Sequence, residues 1–119
     1  MADRNPQHPN QVRGRWGEDL AAEWYLGHGY SIVARNWRCA TGEVDLIARR
    51  GRLVVVCEVK ARRTATFGTA ATAVHADKQR RLRRLAAAWL RATGTHGVDL
   101  RFDVVAITGP DVVVIPDAF

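Results

Sequence analysis

Apolar residues recur along this chain with two alternating periods, and the switches between them mark out its elements. From Arg15 to Leu26, Trp16, Leu20, Ala21 and Trp24 fall on one face of a helix, which Gly27 and Gly29 then end. Tyr30 to Trp37 is rich in β-branched and aromatic residues and reads as a strand. Two further strand patterns follow, Glu43 to Arg49 and Arg52 to Lys60, separated by little more than Arg50 and Gly51, which signals a β-hairpin. Ala61 to Val74 is small and Thr-rich with Gly68, and predicts a loop long enough to suggest a functional one. Asp77 to Arg91 carries Leu82, Leu85, Ala86, Trp89 and Leu90 at helical spacing, with Asp77 as N-cap and Gly94 as stop. Val98 to Ile107 alternates Val98, Leu100, Phe102 and Val104 against Asp99, Arg101 and Asp103, and Val112 to Ile115 follows a Gly109-Pro110-Asp111 turn.

The resulting order, αβββαββ, predicts an α/β domain with a mixed central sheet of about five strands flanked by helices. The strands before and after the second helix should be parallel neighbours joined by a right-handed crossover. At 119 residues and 13.2 kDa the chain fits one domain. Residues 1–11 are polar, contain Pro6 and Pro9, and are expected to form a disordered tail ahead of a domain over 12–119. That tail lacks the apolar segment of a signal peptide, and the longest apolar run, Leu53 to Cys57, is far short of a membrane span. A cytoplasmic protein with no membrane partner is expected. Cys39 and Cys57 form no metal-binding or disulfide pattern and read as small hydrophobes. The four histidines show no ligand spacing, and Trp24 and Trp89 read as core. No Walker, dinucleotide-binding or serine-hydrolase motif is present, so no nucleotide cofactor is expected.

Charge changes this picture. Lys and Arg number 18 against 12 Asp and Glu, a net charge of +6 with a pI near 10.3, which favours a polyanionic partner. Of those basic residues, 12 lie in 49–63 and 78–91, on either side of the long loop. Within this basic surround, strand alternation puts Glu43 and Asp45 on one face, and Glu58 and Lys60 on one face of the next strand. With the turn centred on Arg50 and Gly51, Glu43 is expected across from Glu58 and Asp45 across from Val56, so that all four polar side chains share a face. The opposite face would carry Val44, Leu46 and Ala48 against Val55, Cys57 and Val59. Carboxylates about 5 Å apart repel by on the order of 3 kcal/mol at an effective dielectric near 20. A hard divalent cation relieves this, since Mg²⁺ takes one or two carboxylates, keeps several waters and accepts phosphate oxygens. Lys60 adds a charge able to orient a water. The plainer alternative is a solvated sheet face with cross-strand ion pairs. Against it, Leu53 to Cys57 is apolar on both faces, as a covered interior strand should be, which places the charges at its end in a cleft.

Asp45 followed by Glu58-Val59-Lys60 resembles the D…(D/E)xK signature of restriction-endonuclease-like nucleases. The chain also carries Gly14-Arg15-Trp16-Gly17-Glu18, Gly29-Tyr30, Asn36-Trp37, Gly42 to Ile47 (GEVDLI), Val56 to Lys60 (VCEVK), Lys78-Gln79-Arg80, Arg101 to Val105 (RFDVV) and Ala118-Phe119. In that order they resemble the YraN family of small bacterial proteins, over nearly everything after the tail. The family is similar in fold to archaeal Holliday-junction resolvases.

The resemblance implies that Asp45 and Glu58, with the Val59 carbonyl, hold Mg²⁺ or Mn²⁺, and that Lys60 is the catalytic lysine. Glu18 matches an acid that in many such nucleases reaches the metal directly or through water, and Glu43 is an auxiliary member. Val44 stands where the named motif has Pro. Gln79 resembles a polar residue placed near the scissile phosphate. Arg49, Arg50, Arg52, Arg62 and Arg63 around the hairpin are expected to contact the nucleic-acid backbone, with Lys78, Arg80, Arg81 and Arg84 on the second helix. Cations at a helix N-terminus oppose its dipole, so an anion is expected there. Two readings stay open. One is a metal-dependent endonuclease acting on structured or branched DNA, with a homodimer as the assembly a resolvase would favour; the other is a catalytically silent DNA- or RNA-binding module of the same fold.

Overall fold

The computed structural model describes the backbone of residues 9–62 and 76–119 and the side chains of 16–61 and 76–119. Its elements are α1 (Pro9–Gly27), β1 (Ser31–Cys39), β2 (Gly42–Arg50), β3 (Leu53–Arg62), α2 (Ala76–Thr93), β4 (Asp99–Thr108) and β5 (Asp111–Ile115). The strands form one mixed sheet in the order β1-β2-β3-β4-β5. Only β3 and β4 are parallel, and the chain between them includes α2, as a crossover requires. The expected element order and mixed sheet are therefore present. Helix α1 starts at Pro9, ahead of the expected domain boundary. The remainder of the expected tail, residues 1–8, lies outside the described residues, as does most of the expected loop; the backbone of Ala61 and Arg62 continues β3.

Each helix covers one face of the sheet, α2 with the stripe its spacing foretells and α1 with a stripe rotated from the expected one, since Trp16 is 44% exposed and Tyr25, outside the expected set, is wholly buried. On one face, Ala21, Ala22 and Tyr25 of α1 meet Leu46, Ala48, Val55, Cys57, Val105 and Ile107. On the other, Leu82, Leu85, Ala86 and Trp89 of α2 meet Val44, Ile47, Val54, Val56, Phe102 and Val104. Strand β3 is thus buried on both faces, and Leu85 alone, wholly buried, contributes roughly 1.5–3 kcal/mol by leaving water. Both helices end in a Schellman motif. In α1 the left-handed residue is Gly29, with Tyr30 N–H reaching Tyr25 O at 3.0 Å; in α2 it is Gly94, with Thr95 N–H reaching Leu90 O at 3.0 Å.

Two features of the hairpin differ from the alternation argument. The turn residues are Gly51 and Arg52, Gly51 taking a left-handed φ of 61°, so Arg50 pairs with Leu53 and Leu46 with Cys57. This two-residue shift in register puts Asp45 level with Glu58, the next rung, and takes Glu43 away from it. The second difference is a break in the alternation. Val44 and Ile47 both face α2, whereas Leu46 and Ala48 face α1, so Val44 does not join the apolar face expected of it. Strand β1 turns over at the same level, because Ala34 and Trp37 both pack toward α2. Between the Arg35↔Leu46 and Trp37↔Val44 pairs lie Asn36 and Asp45. Asn36 has a φ of 51°, a left-handed conformation that Asn tolerates better than most side chains. The kink at Asn36 and Asp45 reorients both strands at the mouth of the hairpin.

Candidate active site

Beyond the Leu46↔Cys57 rung, β2 stays paired with β1 and β3 with β4, so the two central strands part. Asp45 stands in the fork. Its Oδ2 accepts the Val59 N–H at 2.9 Å, a carboxylate taking the place of a strand carbonyl. Opposite it is Glu58, with 10% of its side-chain surface exposed. Glu58 Oε2 lies 3.0 Å from Lys60 Nζ on its own strand and accepts from Lys78 Nζ of α2 at 2.6 Å.

Electrostatics at the fork are set by crowded acids. Burial first, and the charge of Glu58 second, push the Asp45 carboxyl from 3.8 up to about 7, against the pull of the Val59 N–H; Glu18 raises it further and Lys78 lowers it. Glu18, on α1, is itself held above the ordinary range by burial, partly offset by a hydrogen bond with Asn36 and by Arg35. It reaches this place because α1 lies against the ends of β3 and β4 at Gly17, where a Cβ would be in ordinary contact with Ile107, Ala61 and Val59. For Lys78, burial works against the charge, but hydrogen bonding to Glu58 and the charges of Glu58 and Asp45 outweigh it and raise its pKa.

Asp45, Glu58, Lys60 and Glu18 are therefore brought to one place. Glu43 stands apart, exposed and joined to Arg38 Nε of β1 at 3.1 Å, although its charge is still felt by Glu18. Arg49, Arg50 and Arg52 are at the other end of the hairpin. Five residues of strand separate Asp45 from Arg50, about 17 Å. There Arg49 Nε donates to Gly51 O at 2.9 Å, Arg50 donates to His28 O at 3.2 Å and stacks 4.4 Å over Tyr30, and Arg52 lies 3.9 Å from Asp99. Arg62 is described only by its backbone position opposite Thr108, and Arg63 lies outside the described residues.

Besides Lys60, helix α2 brings cations toward the fork. Lys78 holds Glu58, so that an acid of the protein itself answers the basic first turn of this helix. Gln79 shares that turn and is half-buried. Arg80 pairs with Asp77, and Arg81 passes 3.6 Å from the Cβ position of Gly42, beside the start of β2. Arg83 lies over the Phe102 and Phe119 rings at 4.8 and 5.6 Å, and Arg84 is exposed.

Among the described residues no three Asp, Glu, His or Cys side chains form a ready cation cage. The donor set still fits a hard dication, because two facing carboxylates and a main-chain carbonyl satisfy Mg²⁺, which takes its remaining ligands from water and phosphate.

One buried polar network escaped sequence reasoning. Asp103, wholly buried, accepts from Tyr25 Oη at 2.6 Å, from Arg101 Nε and Nη2 at 2.9 Å each, and from Asp117 N–H at 3.1 Å. It ties α1 to β4 and to the chain after β5. The alternation of β4 sets Asp103 opposite the apolar residues, yet its partners carry it into the core, while Leu100 of the apolar set is 39% exposed. The signal lay in Arg101 two residues away on the same face, a charge partner ready for burial.

Among the described residues no helix is long and apolar enough to cross a membrane. Residues 17–107 match the family described as "Uncharacterised protein family UPF0102". A UPF0102 protein of Geobacter sulfurreducens is 47% identical, over 93% of this chain and 84% of that protein. One of Rhodococcus jostii is 53% identical over 82% of this chain and 83% of its own length, and one of Acidothermus cellulolyticus is 46% identical over 92% and 94%. With its fork residues inside the matched span, the chain belongs to the UPF0102 family, the YraN family whose motifs run through its sequence.

Proposed function

We propose that the protein is a metal-dependent nuclease that hydrolyses phosphodiester bonds in structured or branched DNA. The observation that carries this reading is the fork itself, where Asp45 and Glu58 face each other beside Lys60 Nζ, 3.0 Å from Glu58. Asp45, Glu58 and the Val59 carbonyl would hold Mg²⁺ or Mn²⁺, with Glu18 acting through water. The ion, when bound, supplies Lewis-acid stabilisation of charge on the phosphate. Hydrolysis joins a water oxygen to phosphorus and breaks one P–O ester bond, the proton of the water ending on the departing oxygen. Lys60 orients that water and offsets charge gathering on the non-bridging oxygens. Arg81 and Arg84 of α2 are the cations suited to grip backbone near the fork, whereas Arg49, Arg50 and Arg52 are positioned for a distant stretch of a long substrate.

A second reading is favoured by the two ammonium groups on Glu58, which leave the fork well balanced with no metal at all. In that reading the same surface binds nucleic acid without turnover. Incubation with linear, nicked, flapped and four-way DNA in Mg²⁺, Mn²⁺ or EDTA, beside Asp45→Ala and Lys60→Ala, separates them. The nuclease reading expects metal-dependent products lost in both variants. Binding that persists in both variants, with no product from the native protein under any condition, refutes it and leaves the binding module.

A further inference from the structure

We propose that Lys78 is a built-in counter-cation that holds Glu58 while no metal is bound, then transfers to a backbone phosphate when a divalent cation and nucleic acid enter together. The inference deepens the reading above, since it takes Asp45 and Glu58 as cation ligands and nucleic acid as the polyanion. Both ammonium groups sit on the same oxygen, Oε2 of Glu58, Lys78 at 2.6 Å and Lys60 at 3.0 Å. They differ in origin. Lys60 is two residues from Glu58 on β3, and its side chain is 23% exposed. Lys78 reaches in from the first turn of α2, and with 35% of its side chain exposed it has a route back to solvent.

Charge accounting gives the exchange a direction. Glu18, Asp45 and Glu58 bring three negative charges to the fork when ionised, and the two lysines return two positive ones. An incoming dication overshoots neutrality by one unit of positive charge, which one phosphodiester corrects. Lys78 has somewhere to go: it stands in the first turn of its helix and Arg81 lies one turn on, a setting that favours an anion. Because the metal and Lys78 compete for one carboxylate, and phosphate draws Lys78 off, metal and nucleic acid must each tighten the binding of the other by the same factor.

The test uses Mn²⁺ alone, by calorimetry, on the full chain and on Lys78→Met, Lys78→Gln and Asp45→Asn. With its competitor removed, Lys78→Met should bind Mn²⁺ about fivefold tighter, the worth of one partly exposed ion pair. The affinity of the native protein for a short DNA duplex, read by fluorescence anisotropy, should rise when Mn²⁺ is added, and that rise should shrink in both Lys78 variants. Unchanged or weaker Mn²⁺ binding in the Lys78 variants, with binding still abolished in Asp45→Asn, overturns the proposal and leaves the metal site standing. Absence of Mn²⁺ binding in every protein overturns the metal site and the proposal together. A measurement on the native chain guards against variants that fail to fold. Acylation of Lys78 by an N-hydroxysuccinimide ester, followed by mass spectrometry, should quicken with Mn²⁺ and slow again once duplex is added; a rate indifferent to saturating Mn²⁺ refutes the exchange.

Discussion

Replacing Asp45 by Asn should stabilise the protein, and increasingly so as pH rises. In the folded chain the Asp45 carboxyl titrates at about 7 instead of 3.8, raised by burial and then by Glu58. The folded state therefore holds this proton more tightly than the unfolded chain does. Stability contributed by neutral Asp45 is complete below 3.8 and is lost as pH rises through about 7. At 1.36 kcal/mol per pH unit, keeping Asp45 ionised above that point costs about 4 kcal/mol at most. Asn retains an oxygen for the Val59 N–H and removes the charge, but its amide hydrogens need acceptors, which offsets part of the gain. Urea denaturation in EDTA should show the advantage of Asp45→Asn widening by about 2 kcal/mol between about pH 5 and about pH 8. Saturating Mg²⁺ should narrow that gap by stabilising the native protein alone. An advantage that stays constant with pH, or an Asn variant less stable than the native chain at the higher pH, refutes the assignment of the strain to charge at the fork.

Two further outcomes follow from groups outside the fork. Arg101→Met strands the wholly buried Asp103 without a cation and should cost about 3–5 kcal/mol in urea denaturation; a loss below about 1 kcal/mol refutes the pair as what holds Asp103 in the core. Arg81→Gln combined with Arg84→Gln should lower the slope of log affinity against log salt for DNA by about two, while Arg49→Gln with Arg52→Gln should leave the slope for a short duplex unchanged. Equal losses from both pairs place the footprint across the whole hairpin instead of beside α2.

The order of elements was legible because period and punctuation agreed where the helices end: the α2 stripe of Leu82, Leu85, Ala86 and Trp89 is the buried one, and Gly29 and Gly94 stop their helices through left-handed conformations. Register was less legible. Arg50-Gly51 and Gly51-Arg52 are equally good two-residue turns by composition, and only the positive φ of Gly51 at the first turn position separates them. The chosen register kept Asp45 and Glu58 in reach of each other, so the acid pair survived the error, whereas Glu43 did not. The kink at Asn36 and Asp45 leaves no trace in a period-two pattern. An Asn in a strand otherwise rich in β-branched and aromatic residues was its faint mark. The salt link from Lys78 to Glu58 crosses 20 residues, and nothing local to Lys78 distinguishes a lysine that meets phosphate from one that meets a carboxylate.

The parting of β2 from β3 also bears on how the molecule avoids its own copies. A strand edge with free amide and carbonyl groups invites a strand from another chain, the usual first step toward edge-to-edge aggregation. Beyond Cys57 the β2 side of β3 is such an edge in the middle of a sheet. Asp45 already occupies the Val59 N–H, and Glu58, Lys60 and Lys78 crowd the adjoining surface with charge. The residues fitted to hold a cation are thus also gatekeepers, letting a sheet remain unzipped at its centre without becoming a template for assembly.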